Sequence, residues 1–86
     1  MTRYRIELRP AALRALKRID RQDHPRLHGA IALLAQDPRP PQSRALVGRE
    51  GFRVRVGNYR VIYTIHDDVL LIVVVTVGHP KDVYQD

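Results

Sequence analysis

The chain has 86 residues, with 15 lysines and arginines against 9 acidic residues, a formal net charge of +6 and no cysteine. A chain this short has room for a single domain, 1–86, with one modest core, and the missing thiols exclude a disulfide framework, a zinc–thiolate site, an iron–sulfur cluster and a cysteine nucleophile. At 44% hydrophobic and 28% charged residues the composition is globular, and the surplus positive charge points to an acidic partner: nucleic acid, an anionic membrane surface or an acidic protein.

From the N-terminus, residues 2–8 alternate, with Tyr4, Ile6 and Leu8 on one side and Arg3, Arg5 and Glu7 on the other, the period of a half-buried strand. This start has no basic stub followed by an apolar stretch, so a cytoplasmic protein is expected. Pro10 suits the first turn of a helix whose apolar stripe is Ala12, Leu13, Leu16 and Ile19, with Arg14, Lys17, Arg18 and Arg21 outside. Asp23 reads as the N-cap of a second helix, with Pro25 in its first turn and Leu27, Ala30, Ile31 and Leu34 as its stripe, ending before Asp37-Pro38. The proline-rich segment Asp37 to Gln42 is an extended connector.

Three strands follow, Phe52 to Val56, Tyr59 to His66 and Val69 to Val77, separated by the hairpin dipeptides Gly57-Asn58 and Asp67-Asp68. The apolar run Val69 to Val77 is far shorter than the ~20 residues of a membrane-spanning helix. Strand, two helices and a three-stranded meander give an α+β fold, β-α-α-β-β-β, with a two-helix hairpin on one face of a mainly antiparallel four-stranded sheet.

If Gly57-Asn58 closes a two-residue type I′ or II′ hairpin, Val56 faces Tyr59, Arg55 faces Arg60, Val54 faces Val61 and Arg53 faces Ile62. Parity then puts Phe52, Val54, Val56, Tyr59, Val61, Tyr63 and Ile65 on the side toward the helices and Arg53, Arg55 and Arg60 on the other. Directly opposed like charges cost on the order of 0.2–1 kcal/mol, so such a cluster points to a bound anion. A solvated face kept charged for solubility would mix signs. Here Arg44, Arg49, Arg53, Arg55 and Arg60 are accompanied between positions 44 and 60 by one acid, Glu50. Guanidinium groups suit bidentate phosphate binding.

After Gly78 come His79, Lys81 and Tyr84, a mixture suited to acid–base chemistry beside a phosphate. Cleaving RNA through its own 2′-hydroxyl needs proton removal there, charge stabilisation on the phosphoryl oxygens and a proton for the leaving 5′-oxygen. The arginines fit the second need. Histidine is the one of these three side-chain types suited to proton transfer near neutrality unaided, while Lys81 and Tyr84 need neighbouring positive charge. Tyr84 reads equally well as a half-buried ring packing the tail. His24 and His28 have a metal-compatible spacing, but no further ligand completes a site, so no metal and no cofactor are expected. Helix one has too modest an apolar stripe to serve a membrane as well as the core.

The order of these pieces resembles the RelE/ParE toxin superfamily, the toxin half of bacterial type II toxin–antitoxin pairs. The resemblance runs from Tyr4-Arg5-Ile6-Glu7-Leu8 through Ala11 to Leu16 and Ala45-Leu46-Val47-Gly48 to Val77-Gly78-His79. Its most specific stretch is Arg53-Val54-Arg55-Val56-Gly57-Asn58-Tyr59-Arg60-Val61-Ile62-Tyr63.

The resemblance implies a microbial RNase-like fold and a RelE-like, metal-independent endoribonuclease that cuts mRNA in the A site of the small ribosomal subunit. It further implies a RelB-like antitoxin that holds the toxin inactive in a hetero-oligomer. Carried over, the cleavage residues are Arg53, Arg55 and Arg60, with His79 or Lys81 after the last strand, and Tyr84. Arg14, Lys17, Arg18, Arg21, Arg44 and Arg49 would grip ribosomal RNA. Where many RelE-like members have lysine, this chain has Arg53 and Arg55, and the family's basic residue after Val-Gly-His is here Pro80, with Lys81 one place later. Arginine is a poor general base, so the base falls to His79 or Tyr84. Two further readings share the fold: a ParE-like toxin that poisons DNA gyrase, and a non-catalytic RNA-binding module that needs the arginines alone.

Overall fold

The computed structural model describes residues 3–79. Strand β1 (Arg5–Leu8) leads into helix α1 (Pro10–Arg18). A single 3₁₀ turn (Arg21–Asp23) then connects to helix α2 (His24–Leu34). Strands β2 (Ser43–Ala45), β3 (Phe52–Val56), β4 (Tyr59–His66) and β5 (Leu71–Gly78) complete one sheet of order β1-β5-β4-β3-β2. Only β1 and β5 run parallel; the other pairs are antiparallel. The four expected strands are thus joined by a short fifth, β2, which the proline connector hid.

Both helices pack on one face, α1 against β5 and α2 toward β3. The core between them is Ala12, Leu16, Leu27, Ile31 and Leu34 from the helices and Val54, Val56, Val61, Tyr63, Ile72, Val74 and Val77 from the sheet. Full burial of a side chain the size of Leu27 or Ile72 is worth about 1.5–3 kcal/mol. Leu13, expected in the helix-one stripe, is 47% exposed. Ala12, Leu16 and Ile19 cluster within a narrow arc at ~100° per residue, and Leu13 falls outside it.

Asp23 occupies the N-cap position of α2 without capping it, because its carboxylate accepts the Tyr59 hydroxyl at 3.0 Å instead. Asp20 caps the 3₁₀ turn, accepting from the Gln22 amide at 3.0 Å. His24 closes the other side of this junction. Its Nε2 lies 2.7 Å from the Leu16 carbonyl and 3.0 Å from that of Ile19, and since both are acceptors, Nε2 carries the hydrogen.

The β3–β4 hairpin has the register derived from parity, pair for pair from Val56↔Tyr59 to Arg53↔Ile62. Gly57 has φ +61° and Asn58 is not in the left-handed region, which selects type II′ over I′. The β4–β5 pairing is less regular. Val69 and Leu70 belong to the turn, with Leu70 at φ +52°, so β5 starts at Leu71. Farther along, Tyr63 pairs with Val74 and Ile62 with Thr76, leaving Val75 as a bulge. The bulge lets Ile72 and Val74 before it and Val77 after it all face the helices.

The connector is tied down residue by residue. The buried Tyr63 donates its hydroxyl to the Pro38 carbonyl at 2.7 Å, and burial pushes its pKa up. Arg39 pairs with Asp67 at 2.9 Å and lies 5.5 Å from the centre of the Phe52 ring. Ser43 bonds the Pro40 carbonyl through both its amide, at 2.9 Å, and its hydroxyl, at 2.7 Å. These contacts deliver residues 43–45 to the edge of β3.

Candidate nucleic-acid interface

The sheet face opposite the helices carries the arginines. On β3, Arg53 and Arg55 alternate with the core residues Val54 and Val56, so both point away from the helices. On β4, Arg60 stands directly across from Arg55. On β2, Arg44 stands directly across from Arg53. With Gln42 these four arginines line one open groove of about 340 Å³, and no acidic residue among the described residues lines it. Arg55 and Arg44 are exposed, while Arg53 and Arg60 are half-buried.

Beneath them sits Ile62, 2% exposed although no helix covers this face. Its cross-strand neighbours are Arg53 and Thr76, and aliphatic arginine stems laid over an apolar side chain leave their charged ends raised toward solvent. Arg44 donates from Nη1 to the carbonyls of Pro41, at 2.9 Å, and Ser43, at 2.8 Å. Two of its five N–H groups are thereby engaged on the connector, which steadies the guanidinium at the groove's edge.

Arg44 was expected to act apart from the other three as a docking residue, and the structure instead brings it into their groove. Nothing local in its sequence marks this, because β2 exists only through its pairing with β3. Gln42 was not singled out by sequence reasoning at all, and has no signal beyond adjacency to that strand.

The other expected residues that the structure describes lie elsewhere. His79 lines a second groove, of about 550 Å³, with Arg14, Arg18, Tyr59 and Thr76 on the α1 side of the sheet end. The register explains the separation. Gly78 pairs with Arg60, so the next residue along β5 leaves the sheet on the side opposite Arg60. The Tyr59 phenol in this second groove is held above its ordinary pKa by its hydrogen bond to Asp23. Arg14 and Arg18, four residues apart on α1, share one face of the helix and line this groove together. Lys17 and Arg21 are exposed, and Arg49 is exposed in the loop between β2 and β3. Lys81 and Tyr84 lie outside the described residues.

Among the described residues no three histidine or acidic side chains gather as a metal site would require, and the Nε2 of His24 is engaged by two carbonyls. No helix among them is long and apolar enough to cross a membrane. What the described residues of the first groove offer chemically is dense, preorganised positive charge, with no group among them able to take a proton.

Comparison with known proteins agrees with this architecture. The fold is similar to that of a chain of the archaeal RelE–RelB complex from Pyrococcus horikoshii OT3, with a TM-score of 0.80 at 24% identity over 95% of this chain and 99% of that one. A chain of the toxin–antitoxin complex RelBE2 from Mycobacterium tuberculosis gives 0.79 at 26% identity, over 95% and 97%. A chain of the intact E. coli RelBE complex gives 0.76 at 20% identity, over 88% and 95%. No sequence among curated proteins matches. The family model described as ParE toxin of type II toxin–antitoxin system, parDE, matches residues 6–84. With that match over nearly the whole sequence and the RelE-like fold beneath it, the chain belongs to the ParE toxin family of type II toxin–antitoxin systems, within the RelE/ParE superfamily.

Proposed function

We propose that this toxin is a ribosome-dependent endoribonuclease that cuts mRNA in the ribosomal A site, in the cytoplasm, and so stops translation. The observation that carries the reading is the groove of Arg44, Arg53, Arg55 and Arg60, which has no acid among its described lining residues and is shaped by two opposed arginine pairs. A fold under no demand for anion binding gains nothing from those pairs.

In the cleavage, the 2′-oxygen attacks the adjacent phosphorus and the bond to the 5′-oxygen breaks, leaving a 2′,3′-cyclic phosphate and a 5′-hydroxyl. The guanidiniums stabilise the charge that grows on the phosphoryl oxygens. They cannot exchange protons, so proton transfer falls to Lys81, Tyr84 and groups that the ribosome supplies, while His79, on the other side of the sheet end, takes part only if the segment after Gly78 turns it toward the arginines. Arg14, Lys17, Arg18, Arg21 and Arg49 then serve as contacts to ribosomal RNA. A RelB-like antitoxin holds the toxin inactive in a hetero-oligomer, in keeping with the RelB partners in the similar structures.

The second reading, a gyrase poison, is favoured by the ParE description of the matching family model. Induced expression with pulse labelling of protein and DNA synthesis, followed by primer extension on a translated mRNA, separates the two. Immediate loss of protein synthesis with cuts in the reading frame is the expected result. Stalled replication with intact mRNA would establish the gyrase reading instead. In the first case, removing the charge with Arg55→Gln together with Arg60→Gln lowers cutting by roughly 100-fold or more, the loss typical of removing electrostatic stabilisation from a transition state.

A further inference from the structure

The four arginines are arranged as two pairs, and their spacing says what the groove holds. Arg44 and Arg53 face each other across β2 and β3, while Arg55 and Arg60 face each other across β3 and β4. Between the two pairs the chain advances two residues along β3 and one strand sideways, a diagonal of about 8 Å from ordinary strand rise and strand spacing. Consecutive phosphorus atoms of a nucleic acid are joined through one sugar and its ester oxygens, a reach comparable to that diagonal when the strand is extended. Flexible arginine stems take up the small difference.

We propose that the groove binds two consecutive phosphates of a single RNA strand, one on each arginine pair, with the strand lying diagonally across β3. This rests on the reading of the toxin as an RNA-directed enzyme, and it assigns a separate task to each pair. The phosphate on Arg55 and Arg60 is the scissile one. Across from Arg60 on its other side stands Gly78, which adds no side chain, so the groove is unobstructed at that end and groups from the ribosome can approach the phosphate there. The phosphate on Arg44 and Arg53 is a positioning contact one nucleotide away. A single phosphate would need no more than one bidentate pair. Four guanidiniums, with no acid among the described lining residues, match the two negative charges of two consecutive phosphates far better.

The test uses the full chain with 2′-O-methyl oligonucleotides, which cannot be cleaved: a dimer with one phosphate and a trimer with two, titrated by NMR at several salt concentrations. The trimer binds the wild-type protein roughly tenfold more tightly than the dimer, the effect of one added charge-assisted contact. Its log–log salt dependence is steeper by about 0.7, the increment for one more neutralised phosphate of a single strand. In Arg44→Gln, an exposed position, the trimer's advantage disappears and dimer affinity is kept, whereas Arg60→Gln weakens both ligands. Equal affinity of wild-type protein for dimer and trimer, or an Arg44→Gln protein that weakens both equally, overturns the two-phosphate assignment and leaves the RNA reading standing. Failure of both oligonucleotides to bind, with the protein folded by its NMR spectrum, overturns the RNA reading and this assignment with it.

Discussion

Asp67 shows how much of the connector's placement rests on single side chains. It accepts from Arg39 at 2.9 Å and from the Tyr4 hydroxyl, and so links the residue ahead of β1, the connector and the β4–β5 turn at one point on the surface. The Arg39 guanidinium, and after it the Tyr4 hydrogen bond, hold the Asp67 carboxyl below the usual carboxylate range. A depressed folded-state pKa contributes stability above the unfolded value of about 4, and loses it as pH falls through the lower folded value. Tyr4 works in the opposite sense. Its bond to Asp67 raises its pKa, so its contribution is present below about pH 10 and is lost as pH rises through the raised folded value. Thermal melts of wild type and Asp67→Asn should therefore differ by a constant amount between about pH 5 and 9 and converge below about pH 4. A difference that grows on acidification would show that the link does not operate. The Arg39 and Asp67 side chains are about half exposed to solvent, so high salt shrinks the difference throughout.

At the scale of elements, the β4–β5 connection carries a local backbone conflict. Leu70 has φ +52°, a region where a side chain with a Cβ is strained by roughly 1–2 kcal/mol. It is also 41% exposed, so little packing offsets the strain. The turn hydrogen bonds, Val69 to the His66 carbonyl at 3.3 Å and Leu70 to that of Asp67 at 3.4 Å, are long. Leu70→Gly should raise the melting temperature by about 2–6 °C, since ~1 kcal/mol moves a domain of this size by about 4–8 °C and glycine's unfolded-state entropy takes back part of the gain. An unchanged or lower melting temperature would mean that the leucine packs better than its exposure implies.

For the whole molecule, the net charge of +6 is concentrated on one side of the sheet as well as along α1. That concentration sets stability against function. Arg55 and Arg60 repel at close cross-strand range, and Arg55 is exposed, so replacing it removes repulsion without opening a cavity. Arg55→Thr, with a β-branched residue suited to a strand, should stabilise the isolated toxin by about 0.2–1 kcal/mol while weakening RNA binding. Denaturant melts at low salt measure the gain, and it should fade at 1 M salt, where the Debye length is about 3 Å. A destabilised Arg55→Thr protein would show that the arginine stem contributes more by packing than its charge costs.

What the sequence determined by itself was whatever depends on neighbours a few residues apart. The period of two between Phe52 and His66 and the Gly57-Asn58 turn were enough to set the hairpin register and to gather Arg53, Arg55 and Arg60 on one face, because a tight turn leaves the strands no other pairing. The two amphipathic helices followed from their stripes in the same way, apart from Leu13, which sits just off the buried arc. The tertiary structure decided whatever depends on distant segments meeting. Ser43–Ala45 has no strand signature of its own and becomes β2 only where the tethered connector lays it beside β3, and that pairing is what carries Arg44 into the groove. The parallel contact of β1 with β5 joins residues more than sixty positions apart, which no local pattern encodes. The bulge at Val75 shifts the parity of β5, so that Val77 turns toward the helices and the next residue but one, His79, leaves the sheet on their side. Short-range periodicity thus determined which face is charged, and long-range strand pairing decided which residues share the groove.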